Sequence, residues 1–219
     1  MNDHEEFIAI ARDGPSDGAI ETARTVTANL YMTLDGYGEF PKYPGSDAHS
    51  SEPGEVFKDL WIRRYNSVDT IIYGRRSYED HVSYHSLSAR KPSDPEYLFE
   101  FSRFLERSQK IVLSHNLKKT EWQNSRVMKG DLARIVSRLR AEPGKDIIVD
   151  AGPSVSQEFI QRGLVDDYRI MVMPVILGRG KLYWGSMIRQ RTLKLLSIKT
   201  DRNGELVLHY GAVRSPPGR

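Results

Sequence analysis

An α/β fold, with a mostly parallel central sheet and an antiparallel C-terminal hairpin, follows from three features of the chain. Apolar, β-branched runs alternate with segments of helical spacing. Two of those runs pass straight into helices through small residues, at Tyr73-Gly74-Arg75-Arg76-Ser77-Tyr78 and at Asp150-Ala151-Gly152-Pro153-Ser154-Val155. Near the C-terminus Asn203-Gly204, a dipeptide suited to tight hairpin turns, separates two further runs.

Residues 1–23 are polar, and Gly14, Pro15 and Gly18 interrupt any period, so they form an N-terminal extension to a single domain over 24–213, with 214–219 as a tail. The segment 25–34 is rich in β-branched and aromatic residues and reads as a first strand, stopped by the turn pair Asp35-Gly36. From Tyr37 to Pro53 runs a loop of Gly, Pro, Ser and Asp whose length points to a functional or disordered segment. Beyond Gly54 the spacing of Val56, Phe57, Leu60, Trp61 and Tyr65 predicts a helix. A strand over 70–73 comes next. Asp94-Pro95 then opens a helix to Arg107, with Leu98, Phe101, Phe104 and Leu105 as its apolar stripe. Residues 110–114 and 127–128 read as short strands. A helix over 131–140 carries Leu132, Ile135, Val136 and Leu139 on one side. Strand 147–149 runs into helix 154–162, closed by Gly163. Strand 167–175 and the hairpin strands 193–200 and 206–213 complete the sheet.

Composition narrows the class of function. The 32 basic residues exceed the 29 acidic ones by only three and are interspersed with them, so nothing implies nucleic-acid binding. Cysteine is absent, which removes disulfides, thiolate metal sites and cysteine nucleophiles and agrees with a reducing compartment. No apolar run approaches the ~20 residues that span a bilayer, and the first residues lack a basic-then-apolar pattern. A cytoplasmic protein without a membrane partner is the expectation.

The two strand-to-helix junctions carry the chemistry. Unpaired amides at a helix start, glycines that admit close backbone approach, and the guanidinium groups of Arg75 and Arg76 suit a phosphorylated cofactor. Each feature also has a plainer reading. Asp35 before Gly36 is ordinary turn chemistry, and Ser77 is a helix cap. His81 and His85 lie four apart, a spacing used by metal sites, yet no third ligand accompanies them, so no metal is assigned. Trp61, Tyr65, Trp122 and Trp184 read as packing residues, with a ring pocket as the alternative for Trp184, which follows the Leu177–Gly180 loop. Gly178-x-Gly180 is too short for a dinucleotide fingerprint.

In order along the chain, Met32-Thr33-Leu34-Asp35-Gly36-Tyr37, Tyr73-Gly74-Arg75-Arg76-Ser77-Tyr78-Glu79, Lys110-Ile111-Val112-Leu113-Ser114, Ala151-Gly152-Pro153-Ser154, Gly163-Leu164-Val165-Asp166-Asp167-Tyr168 and Pro174-Val175-Ile176-Leu177-Gly178-Arg179-Gly180 resemble the dihydrofolate reductase superfamily. The match is to the branch similar to the C-terminal reductase domain of bifunctional riboflavin-biosynthesis proteins. That resemblance implies a dihydrofolate reductase-like three-layer α/β/α fold and an NADPH-dependent reductase that gives a hydride to a small pterin-, pyrimidine- or riboflavin-precursor-like heterocycle. It also implies site residues. Gly74, Arg75, Arg76 and Ser77 would hold cofactor phosphates, with Ser114, His115 and Asn116 at the adenosine end. Asp150, Ala151, Gly152, Pro153, Ser154 and Val155 would lie against the pyrophosphate and nicotinamide, and Leu177, Gly178 and Gly180 would close the cleft. Asp35, Tyr37 or an ordered water would supply the proton. A homodimer is implied too, with Tyr183, Trp184 and Met187 as an apolar patch.

The chain departs from the family pattern in three places, one of them the loop from Phe40 to Pro53, which is longer and more polar than the family's and is expected to carry substrate choice. Ala151 stands where the family carries a glycine, and its Cβ is expected to crowd a cofactor. The acid that folate reductases carry on their first helix has two candidates here, Glu55 and Asp59, which argues against folate as substrate. Two alternatives stay open: a cofactor-binding protein without catalysis, and a member using a flavin or another nucleotide.

Overall fold

The computed structural model describes residues 24–43, 53–185 and 189–213. The extension 1–23, loop residues 44–52, Met187 and the tail 214–219 lie outside the described residues. Eight strands, β1 (Val26–Thr33), β2 (Val68–Gly74), β3 (Gln109–Leu113), β4 (Ser125–Met128), β5 (Asp146–Asp150), β6 (Asp167–Met173), β7 (Leu193–Thr200) and β8 (Leu206–Ala212), form one sheet in the order β4-β3-β2-β5-β1-β6-β8-β7. From β4 to β6 neighbours are parallel, while β8 runs antiparallel to both β6 and β7. The five helices are α1 (Glu55–Leu60), α2 (Arg75–His85), α3 (Glu96–Arg107), α4 (Leu132–Ala141) and α5 (Pro153–Gln161).

Both faces of the sheet are covered because the central strands are apolar on both. In β5, Ile147 and Val149 enter one buried cluster with Leu139 of α4 and Phe159 of α5. Ile148, pointing the other way, joins Trp61, Phe101 and Phe104 on the side of α1, α2 and α3. Each such side chain contributes about 1.5–3 kcal/mol on leaving water, so the three-layer arrangement is set by this two-sided burial. No helix among the described residues is long and apolar enough to cross a membrane.

The helix expected after Gly54 is shorter than its spacing suggests. α1 stops at Leu60, Trp61 leaves helical geometry at φ −127, and a single 3-10 turn covers Ile62–Arg64. Tertiary contacts cause the break. The Trp61 indole packs 5.0 Å from Phe101 and donates to the Tyr31 hydroxyl at 3.1 Å, while Arg64 is drawn under the sheet to the Thr27 hydroxyl at 2.9 Å. Burial pushes the Arg64 guanidinium down to about 10.

Two buried groups brace the α2–α3 layer. Lys110 of β3 is fully buried; its ammonium donates to the carbonyls of Leu105, Glu106 and Ser108 at the end of α3 and sits 4.7 Å from the Trp122 ring. It closes α3 as a cation at a helix C-terminus does. His85, in edge-on contact with Phe101 at 5.1 Å, has no hydrogen-bond partner for Nδ1 among the described residues. Burial, followed by the charges of His81 and Arg90, pushes its imidazole down to about 3.

Lys110→Met should lower stability by roughly 2–3 kcal/mol in urea unfolding, because it strands three carbonyls at the end of α3; an unchanged midpoint would show that water satisfies them. For His85 the sign follows from its depressed folded pKa. The unfolded chain takes up a proton below about pH 6.5 that the folded chain refuses, so stability is lost as pH falls through that point. Replacing His85 by Phe should therefore gain up to about 2 kcal/mol at pH 5 relative to its effect at pH 8, measured as two denaturation curves.

Candidate active site

Parallel pairing brings the C-terminal ends of β3, β2, β5, β1 and β6 to one edge of the sheet, where open α/β folds bind ligands. β2 and β5 are neighbours, so α2 and α5 begin side by side. A Cβ on Gly74 would stand 3.1 Å from Cγ2 of Val155, which shows how closely the two corners approach. The Gly152 amide donates to the Ser77 hydroxyl at 3.2 Å. Ser77 therefore ties one corner to the other and is not the cap of its own helix. Neither α2 nor α5 has a side-chain N-cap, so α2 presents its first-turn amides, while in α5, which opens on Pro153 and returns the Val155 and Ser156 amides to the Gly152 carbonyl, the Ser154 amide is left. Arg75 is exposed and forks onto Glu79 at 3.0 Å, whereas Arg76, also exposed, pairs with no described residue. One strand further out, the Ser114 hydroxyl accepts from the amides of Asn116 and Leu117 and shapes the turn that exposes His115 and Asn116.

The opposite rim comes from the segments after β1 and β6. Tyr37 bridges Leu182, the Gly38 amide donates to the Lys181 carbonyl at 2.9 Å, and the Tyr183 amide donates to the Gly36 carbonyl at 3.0 Å. Gly38 lies on the first turn of α5: a Cβ there would fall 2.3 Å from Cγ of Pro153. The Lys181 ammonium donates to the Ser154 hydroxyl, adding a cation at the start of α5 that the sequence reading overlooked, although Lys181 directly follows Gly180. Leu177 and Gly178 are held by Asp35, whose carboxylate accepts from both amides, at 3.0 and 2.7 Å, and from the Thr33 hydroxyl at 2.6 Å. Those hydrogen bonds, the Thr33 one foremost, hold its pKa below the ordinary carboxylate value. Asp35 is thus an ionised brace for the loop and not a proton donor at neutral pH. The Tyr37 phenol, half-buried beside it, makes no hydrogen bond to a described residue.

Two expectations about the β5 junction change. Ala151 is buried in the core cluster, so its Cβ packs inward; the open position is Gly152, where an added Cβ would meet nothing within 4 Å. The backbone surface left for a ligand is still glycine. Asp150 does not face the helix start. By strand alternation it shares the face of Ile148, it is 4% exposed, and its Oδ2 lies 3.0 Å from Nε2 of His81. A carboxylate in that place is no phosphate ligand. His81 and His85 stay neighbours, their rings 5.1 Å apart, and His81 pairs with Asp150 while its Nδ1 faces the Ser77 carbonyl at 2.9 Å. The signal available was the position of His81 one turn after Ser77, but its partner lies on a strand distant in sequence.

Tyr31 and Phe40 are tilted rings 5.6 Å apart, Phe40 is 71% exposed, and Trp184 is 39% exposed beside Tyr183. Tyr183 itself is buried, so it adds nothing to an apolar surface patch. The first-helix carboxylates are both committed elsewhere. Glu55 pairs with Lys58 at 2.9 Å and with Arg63 at 2.5 Å, hydrogen bonds that push it down to about 2. Asp59, despite the burial that works against its charge, is held ionised by Arg169, Lys199 and Arg63.

Comparison with known proteins agrees with this geometry. The family model for the RibD C-terminal domain matches residues 24–207. Uncharacterized protein YyaP of Bacillus subtilis (strain 168) is 31% identical over 190 residues, covering 85% of this chain and 95% of that protein. YwjB of the same organism is 26% identical over 186 residues, covering 83% and 95%. Among solved structures, a putative riboflavin biosynthesis protein from Shewanella sp. PV-4 superposes with a TM-score of 0.62 at 18% identity, covering 87% of this chain and 99% of that one. A pyrimidine reductase-like protein from Corynebacterium diphtheriae gives 0.61 at 16% identity, covering 88% and 93%. The three-layer fold, the ordered motifs and the match across most of the chain identify it as a member of the RibD C-terminal domain family.

Proposed function

We propose that the cleft binds NADPH and that the protein reduces a small planar heterocycle of pyrimidine-like or pterin-like type. The observation that carries this reading is the pair of adjoining, uncapped helix starts tied together by Ser77 and Gly152. Two positive helix ends with an open glycine between them suit a pyrophosphate. Arg76 and Arg75 would take the 2′-phosphate as guanidinium forks, and Lys181 adds a third cation on the far side of α5. Bound NADPH supplies a hydride. The chain's own contribution is position: the segment from Gly36 to Gly38 and the loop braced by Asp35 exclude water, and the Tyr31 and Phe40 rings give the acceptor a flat wall. Tyr37 or an ordered water would donate the proton. A homodimer in the cytoplasm goes with this reading, with Trp184 on its contact surface.

One observation favours a second reading, dinucleotide binding without turnover: Asp35, Glu55 and Asp59 are all locked as carboxylates. Quenching of tryptophan fluorescence on titration with NADPH, NADH and a flavin tests binding, and turnover on a panel of heterocycles separates the two readings. Arg76→Ala should weaken NADPH by roughly tenfold or more, the loss of one charge-assisted hydrogen bond, with a smaller effect on NADH. Arg75→Ala should show the same preference. Equal losses for both dinucleotides would remove the 2′-phosphate assignment, and no quenching by any of them would remove the cofactor.

A further inference from the structure

Ser77 and His81 lie four apart on α2 and therefore on one face of it. Both touch the end of β5: the Ser77 hydroxyl takes the Gly152 amide, and His81 Nε2 meets the Asp150 carboxylate at 3.0 Å. His81 Nδ1 also points at the Ser77 carbonyl at 2.9 Å, which fixes the ring against its own first turn. A carbonyl only accepts, so Nδ1 carries a hydrogen. The Asp150 carboxylate, which cannot turn to water, lies within ion-pair distance of Nε2 although no donor is aligned on its Oδ2, so the contact is favourable only while the ring is charged.

We propose that His81 is a positioning residue for the corner between α2 and α5: through its ion pair with Asp150 it holds the first turn of α2 against β5 and keeps the Ser77–Gly152 contact aligned. The effect on cofactor affinity rests on the dinucleotide reading above, whereas the coupling of His81 to Gly152 does not.

The surroundings leave the His81 proton as the one that changes near neutrality. Burial opposes the charge on His81, but the hydrogen bond and charge of Asp150, the Ser77 carbonyl and Asp80 outweigh it and hold the imidazole above its ordinary value. His85, 5.1 Å further along α2, is neutral well above its value of about 3. From β2, the Tyr73 ring packs 4.7 Å away, and its phenol is pushed far up by burial and by Asp150. From β1, Tyr31 is raised for the same reasons. Tyr183, which also senses Asp150, is raised chiefly by burial, and Trp61 at 6.5 Å carries no charge. With a folded pKa above the unfolded value, the contact is complete below about pH 6.5 and is lost as pH rises through the folded value.

The first experiment follows the Gly152 amide and the His81 imidazole by NMR in ligand-free protein from pH 6 to 9.5. Both should move with one common pKa; a Gly152 amide that ignores the His81 titration overturns the proposal, whatever the protein binds. The second measures NADPH dissociation constants over the same range for the wild type, His81→Gln and His81→Leu. Comparison between variants cancels the titration of the ligand itself. Wild-type affinity should fall as pH rises through the His81 titration. His81→Gln, whose amide still donates to Asp150 but does not titrate, should keep near wild-type affinity at pH 6.5 and show a flat profile, while His81→Leu should bind weakly throughout. A glutamine variant with the wild-type profile overturns the positioning role. Failure of every protein to bind NADPH removes the cofactor reading and leaves the Gly152 titration to decide the coupling.

Discussion

Everything at the ligand edge depends on β2 lying next to β5. Their register pairs Ile71 with Ile148 and Ile72 with Val149, so the two chains leave the sheet together and their helices start a side chain apart. Gly74 is required for that approach, since a Cβ would press on Val155. With β5 at an edge of the sheet, each helix would still end in free amides, but the two partial charges would act on different ligands. Side by side their fields add at one place.

Charge is used in two ways. At the C-terminal edge the acidic groups are disarmed by what they touch: Asp35 is spent on the amides of Leu177 and Gly178, and Asp150 on His81. Arg76 and Lys181 add cationic groups there, beside the exposed Glu39 and Glu79. Elsewhere a dense network joins Asp59 to Arg169, Lys199 and Arg63, and a polar cavity of about 310 Å³ opens between Thr27, Arg64, Arg169 and His209. The same residue types therefore brace the fold in one place and stand open in another, according to what packs beside them.

Much of this architecture could be read from short windows of the chain. The stripes of α3 and α4, the two small-residue junctions, the Gly163 helix stop at φ +67 and the Asn203-Gly204 hairpin all depend on residues within a few positions of one another. The end of α1 was misjudged for the opposite reason. Its spacing continues to Tyr65, but the indole of Trp61 and the guanidinium of Arg64 are pulled by partners on β1 and α3 that no local window contains.

The site divides along the same line. Residue types and order were enough to mark both corners, the arginines and the loop from Leu177 to Gly180, because amide exposure and glycine conformation are properties of a few consecutive residues. Strand order settled the remainder: that Ser77 answers Gly152, that Lys181 reaches α5, that Ala151 turns inward while Asp150 faces His81. Those pairings join distant stretches of chain. The balance of burial against charge that governs them exists only once the sheet has brought them together.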